Sequence, residues 1–244
     1  MSKLKHSILS ALNNLGLMIK QYHPRNSEEA MLMELIKRHQ MDLVLDIGAN
    51  TGQFVKRLRK KGYKGDVISC EPLKEAFKIL EQNAEYDARW ETNNFAIGKA
   101  YSTQKINVTS NSFSSSLYEI NQVHQEAAET SSMIGMEEVQ VVPLKKVYSN
   151  VGSERKVLLK IDTQGYEMEV IEGAEEELTS IAVILVELSM VPLFKGGPVY
   201  TDVIHKLETL GFELFHIFPE FVHPKTSRLL QANGFFVRNT ISTS

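Results

Sequence analysis

The stretch LVLDIGANTGQFV, from Leu43 to Val55, limits what this chain can fold into more than any other part of it. An apolar run reaches Asp46, passes through Gly48 and Gly52, and enters a helical pattern at Phe54. Strand, tight turn and helix in that order leave backbone N–H groups and a carboxylate at the carboxyl edge of a sheet, where open α/β sheets bind their ligands. The turn is not that of a dinucleotide site, because that fingerprint needs a glycine where Asn50 stands. The Lys followed by Ser or Thr of a phosphate-binding loop is missing as well.

Apolar runs recur at Val67 to Cys70, Val157 to Ile161 and Ile181 to Val186. They are continuous rather than alternating, which predicts strands covered on both faces. Helical patterns lie between them, at Phe54 to Lys61, Lys74 to Asn83, Met168 to Leu178 and Thr201 to Leu210. The alternation predicts an α/β fold with a parallel sheet and helices on both sides. Two later segments, Phe212 to Phe218 and Leu229 to Val237, are joined by a polar connection and predict a closing antiparallel pair. Tyr101 to Leu117, rich in Ser, Thr and Asn, reads as short strands and a loop.

Upstream, Asn26 followed by Glu29 resembles a capping box for a helix carrying Ala30, Met31, Met33, Leu35 and Ile36. Residues 1–40 are expected to be an N-terminal helical extension and 41–244 a single domain, a size that suits a chain of 244 residues with 43% hydrophobic content. Ile8, Leu12, Leu15 and Ile19 fall at helical spacing, so this extension would pack on its own domain or on a second copy, giving a homo-oligomer.

Charge and cysteine usage narrow the function classes. A net charge of −3 provides no broad field for nucleic acid, and the basic run Lys56 to Lys61 reads as a solvated helix face. The single Cys70 excludes an internal disulfide and a cysteine zinc site, as expected of a cytoplasmic protein. The longest purely apolar run, Ile181 to Val186, is far short of the roughly 20 residues of a membrane helix. No acidic or His spacing commits the chain to a metal.

Asp46 at the first strand end would repel a phosphate and suits a ligand with an ammonium or sulfonium nearby. Glu71 ends the second strand, where a carboxylate can accept hydrogen bonds from both hydroxyls of a ribose. A ligand with a ribose, an amino-acid end and no phosphate is S-adenosylmethionine. Gly48, Asn50 and Gly52 would then shape the turn beside it, and Asn94, Ala96 and Ile97, after the third strand, would approach the adenine.

The motifs LDIGANTGQF, CEP at Cys70 to Pro72, NFAIG at Asn94 to Gly98, SSSL at Ser114 to Leu117 and LKIDTQGYEMEVIEG at Leu159 to Gly173 together resemble the FkbM family of S-adenosylmethionine-dependent methyltransferases. The resemblance runs from Leu43 to about Val237. It implies a Rossmann-like class I methyltransferase sheet of seven mostly parallel strands with the last one antiparallel. It also implies O-methylation of a small hydroxylated acceptor, such as a saccharide or glycosylated natural product. VPLKKV at Val142 to Val147 lacks the acidic residue that relatives commonly carry near Lys145, so that segment is given no catalytic role.

Asp162, at the fourth strand end beside the first strand, would face the methyl group and serves as both a cofactor and a catalytic candidate. Glu187 follows an apolar run, so it must either reach the carboxyl edge or be buried at considerable cost. With His124 and His216 these are the candidates for a general base. Glu167 is expected to support the helix that follows, and Ser114, Ser115 and Ser116 could line the acceptor site. Two alternatives remain at this point: a nicotinamide-dependent oxidoreductase on a similar sheet, and a non-catalytic binding module.

Overall fold

The computed structural model describes residues 10–18, 21–110, 115–128, 132–149, 151–152 and 154–239. Its main sheet has seven strands: β1 (Leu43–Ile47), β2 (Asp66–Cys70), β3 (Trp90–Asn93), β7 (Val157–Ile161), β8 (Ile181–Ser189), β9 (Phe212–Val222) and β10 (Leu229–Arg238), in the spatial order β3-β2-β1-β7-β8-β10-β9. The first five are mutually parallel, while β10 runs antiparallel to both β8 and β9. Every residue of β1 and β7 is buried, as the unbroken apolar runs require of strands covered on both faces.

Alternate residues divide the core into two layers. Leu43, Leu45 and Ile47 of β1, with Leu159 and Ile161 of β7, face one side. There they meet α6 (Glu167–Glu172) through Val170 and Ile171, α7 (Glu175–Leu178) through Leu178 and α8 (Tyr200–Thr209) through Val203 and Leu207. Val44, Leu158, Val183 and Leu185 face the other, against α1 (Glu28–Arg38), α2 (Gln53–Lys60) and α3 (Lys74–Ala84). Met31, Leu32, Leu35 and Ile36 of α1 belong to this second layer, so the end of the expected 1–40 extension packs into the same core as the sheet.

Three local differences from the sequence reading have simple causes. The cap of α1 is Ser27, whose hydroxyl accepts from the Ala30 N–H at 3.3 Å, one residue beyond Asn26. The single helix expected over Met168 to Leu178 breaks into α6 and α7 at Gly173, where a Cβ would stand 2.2 Å from the Gly98 carbonyl oxygen. The weakly patterned middle forms a second sheet: β5 (Ser102–Thr109) pairs antiparallel with β6 (Met133–Val142), and β4 (Ala96–Ile97) parallel with it. Ile106 and Val139 of this small sheet pack on Leu73 and Ala76, which brings it over the β2 end of the main sheet.

Residues 10–14 are helical, and Leu15, Leu17 and Met18 beyond them are exposed. Ile8 and Ile19 lie outside the described residues, so the expected stripe is not fully traced. Among the described residues no helix is long and apolar enough to cross a membrane.

Candidate active site

The glycine turn, the strand ends and the small sheet enclose a cavity of about 320 Å³ at the carboxyl edge of the main sheet. At one end it is lined by Gly48, Asn50, Glu71, Leu73, Ala96, Ile97 and Ile106, and at the other by Asp162, Gln164, Glu187, His124, Glu220, Phe221 and Gln231.

The turn after β1 depends on two left-handed glycines. Gly48 has φ +75°, and a Cβ on it would lie 1.8 Å from the Asp162 carbonyl oxygen, so only a glycine lets the β1 turn touch the β7 end. Gly52, at φ +83°, starts α2; its Cβ would meet the Trp90 ring at 2.6 Å. Between them the Asn50 N–H donates to Glu71 Oε2 at 2.8 Å, while the Leu73 N–H donates to Glu71 Oε1 at 2.9 Å. Glu71 is 5% exposed, and its burial pushes the carboxyl up to about 7 against the opposing pull of those two N–H groups.

Beneath the turn runs a buried polar chain that crosses four strands. Trp90 Nε1 donates to Ser69 Oγ at 2.9 Å, and Ser69 Oγ donates to Asp46 Oδ2 at 3.3 Å. Asp46 Oδ1 is ion-paired with Lys160 Nζ at 3.1 Å, its register neighbour on β7. Lys160 also donates to the Gly48 carbonyl oxygen at 2.9 Å and pairs with Asp162 Oδ2 at 3.3 Å. Burial would lower the Lys160 pKa, but the charges of Asp162 and Asp46 outweigh it and hold the ammonium above its ordinary range.

At the far end Gln164, in a left-handed conformation with φ 54°, reaches two carboxylates. Its Nε2 donates to Asp162 Oδ1 at 3.1 Å and to Glu187 Oε2 at 2.8 Å, and Gln231 Nε2 donates to the same Glu187 oxygen at 2.5 Å. Burial, followed by the charges of Asp162, Glu220 and Glu167, pushes Glu187 well above the usual carboxylate range. Glu220, on β9, is raised to about 7 by desolvation and then by Asp162 and Glu28. His124 is 2% exposed, with Phe194 edge-on at 5.3 Å and Phe221 at 5.9 Å, and among the described residues its Nδ1 has no hydrogen-bond partner. Burial lowers its pKa, which keeps the ring neutral.

The Methyltransferase FkbM domain family matches residues 46–214, well over half of the chain. The chain belongs to the FkbM methyltransferase family. Solved structures similar to it include the methyltransferase FkbM from Methylobacillus flagellatus KT, with 12% identity over 80% of this chain and 43% of that one and a TM-score of 0.46. Another is a TehB-like SAM-dependent methyltransferase from Corynebacterium glutamicum, with 14% identity over 97% of each chain and a TM-score of 0.44. A third is fibrillarin from Aeropyrum pernix with natively bound S-adenosyl-L-methionine, at 12% identity over 88% of this chain and 76% of that one, TM-score 0.48. The present chain spans less than half the length of the Methylobacillus protein. No curated protein matches the sequence.

Set against the FkbM motifs, the sequence candidates separate into two groups. Gly48, Asn50, Glu71, Ala96, Asp162, Glu187, His124 and Ser115 line the one cavity. Asp46 does not: it is fully buried and ion-paired with Lys160. Gly52 packs on Trp90 instead of facing the cavity. Asn94 spends its amide on the Glu71 and Pro72 carbonyls at 2.9 and 3.0 Å, a turn-forming role. Ser116 donates to the Gln164 carbonyl oxygen at 2.5 Å and accepts from the Tyr118 N–H, so it supports the Gln164 turn from behind. Ser115 reaches the cavity wall, with its hydroxyl accepting from the Thr109 N–H at 3.1 Å. Ser114 lies outside the described residues. His216 stacks on Phe218 at 4.3 Å, away from the cavity. Glu167 accepts from the Thr163 and Gly165 N–H groups, which is the supporting role expected of it.

Sequence reasoning missed Lys160, Gln164, Gln231 and Glu220. Lys160 did leave a signal, because a lysine inside the otherwise apolar run Val157 to Ile161 needs a buried anion, and the first strand carries one. Gln231 and Glu220 reach the cavity only through the pairing of β10 with β8 and β9, which no local pattern encodes.

Proposed function

We propose that the cavity binds S-adenosylmethionine and that this chain methylates a hydroxyl of a small acceptor, of the saccharide or glycosylated-metabolite class. The observation that carries the reading is that one enclosed space gathers the glycine turn, the buried Glu71 and the carboxylates Asp162 and Glu187. The residues fit the cofactor. Each Glu71 oxygen already accepts one backbone N–H, which orients the carboxylate and leaves further lone pairs for the two hydroxyls of a ribose. Leu73, Ala96, Ile97 and Ile106 offer an apolar slot suited to a flat purine. Asp162, rather than Asp46, is the carboxylate that borders the cavity and would face the ammonium end. A nicotinamide dinucleotide would also place a ribose on the second strand end, but its diphosphate needs a glycine where Asn50 stands, so the turn favours the methyltransferase reading.

Bound there, S-adenosylmethionine supplies a sulfonium-activated methyl group. The protein's contribution is alignment in a dry pocket and removal of one proton. Glu187 is the best-placed base. Gln164 and Gln231 fix its Oε2, which leaves Oε1 to take the proton of the acceptor hydroxyl as the oxygen attacks. A carboxylate whose pKa burial has raised is, when ionised, a stronger base than an ordinary one. His124, neutral in its apolar corner, orients the acceptor by hydrogen bonding and carries no charge.

Calorimetry with S-adenosylhomocysteine tests the cofactor half: tight, stoichiometric binding is expected, and none at millimolar ligand would overturn it. Mass spectrometry across neutral glycosides and glycosylated metabolites tests the acceptor half through gain of one methyl group per hydroxyl. Methylation confined to amines in such a panel would refute the assignment of oxygen.

A further inference from the structure

Neither Lys160 nor Asp46 borders the cavity, yet both are charged and buried, an arrangement that costs several kcal/mol per ion before the pairing is counted. Well-packed apolar residues in place of a buried pair are often as stable or more so, which directs attention to what the pair holds in place. The Lys160 ammonium stands 2.9 Å from the Gly48 carbonyl oxygen, 3.1 Å from Asp46 and 3.3 Å from Asp162, so its donors are distributed over the turn after β1 and the end of β7. Its position is itself set from below, with Phe54 of α2 under the ammonium at 5.7 Å and Asp46 held by Ser69. The backbones it joins are already in contact, because the Asp162 N–H donates to the Ile47 carbonyl at 3.1 Å and Gly48 has no room for a Cβ against the Asp162 carbonyl.

We propose that Lys160 is a positioning residue that ties the two strand ends of the cavity together, fixing the Gly48 carbonyl of the β1 turn and the Asp162 carboxylate of the β7 end, the group that would face the cofactor's ammonium, in one arrangement. The functional part of this rests on the cofactor reading above; the structural part does not. Without the ammonium, the Gly48 carbonyl and the Asp162 carboxylate lose their shared partner, and the turn and the β7 end become free to separate. A purely structural ion pair would hold the fold and leave the cavity indifferent to its removal.

Three variants and two readouts decide between these. Lys160→Met removes the ammonium at similar length, and the paired variant Asp46→Asn, Lys160→Met also removes the carboxylate that would otherwise be stranded, while keeping an acceptor for Ser69. In ligand-free protein, amide exchange at Gly48, whose N–H bonds to the Cys70 carbonyl, and at Asp162 is expected to accelerate at least about tenfold relative to Leu45, in a protein whose Tm holds in the paired variant. Calorimetry with S-adenosylhomocysteine is expected to show affinity reduced by at least about tenfold in both, with no recovery in Lys160→Arg, whose planar fork cannot reproduce the ammonium's three directions. If the paired variant exchanges and binds within about twofold of the unmodified protein, Lys160 is a structural ion pair only and the proposal is wrong. Failure of the unmodified protein to bind S-adenosylhomocysteine would instead sink the cofactor reading, and the exchange rates at Gly48 and Asp162 would then judge Lys160 on their own.

Discussion

The two ends of the cavity hold their buried carboxylates by different means. Glu71 is held by the backbone, through the N–H groups of Asn50 and Leu73. Glu187 is held by side chains, through the amides of Gln164 and Gln231. Backbone donors are set by the turn itself and survive most substitutions of the residues that supply them. Amide side chains are replaceable one at a time, so the Glu187 end can be retuned by single mutations while the Glu71 end stays fixed. The same contrast says where each end should break.

The backbone end should fail all at once. Gly48→Ala places a methyl group 1.8 Å from a carbonyl oxygen at a φ of +75°, which no side-chain rotation relieves. The cost is expected to be at least about 4 kcal/mol, from overlap and left-handed strain together. Loss of S-adenosylhomocysteine binding by at least about a hundredfold, with a lowered Tm, is the expected outcome. An alanine variant that binds normally would mean that the turn after β1 and the β7 end are not in contact in solution.

The same contrast explains what could be read from the sequence. The cofactor end is local: the β1 apolar run, the two glycines and the acidic end of β2 lie within about 30 residues, and turn chemistry gives them away. Four of the five parallel strands were legible for a related reason, since burial on both faces writes itself as unbroken apolar runs, whereas β3, with the sequence WETN, carries no such run. Asp46 reads as a ligand group because its charge is visible in the sequence, whereas its pairing with Lys160, one strand away in register, is set by the β1–β7 ladder. The small second sheet was poorly legible because β6 is exposed along most of its first half and has no apolar stripe to announce it. The acceptor end depends on β9 and β10 folding back beside β8, so Glu220 and Gln231 arrive from more than 30 residues after Glu187 without any shared motif.

A smaller effect separates the ends by pH. Glu71 sits at about 7 when folded, against an ordinary 4.5 for the unfolded chain. A carboxyl raised on folding favours the folded state in acid; its contribution is complete below the unfolded value and is lost as pH rises through about 7. Glu167 and Glu220 share that direction, so unfolding by urea should show stability declining between pH 5 and pH 7.5. Glu71→Gln removes one such group and should flatten the decline by at most about 3 kcal/mol, whatever it does to absolute stability. An unchanged slope would show that Glu71 is ionised in the fold across this range, with its two N–H donors outweighing its burial.

The smallest effect is the most specific to the side-chain end. Gln231→Leu deletes one of the two amides on Glu187 Oε2 and leaves Gln164 in place. Those donors favour the ionised carboxylate, so losing one raises the Glu187 pKa further. If Glu187 must be ionised to take the acceptor's proton, activity disappears as pH falls through that pKa, and the acid limb of the rate profile should move to higher pH by about one unit. Affinity for S-adenosylhomocysteine should stay the same, because neither Gln231 nor Glu187 belongs to the cofactor end. A lower plateau with an unmoved limb would assign the limb to another group and leave Glu187 a positioning role. No equivalent experiment exists for Glu71, since Asn50 and Leu73 donate through their backbones and truncating either side chain leaves its N–H in place.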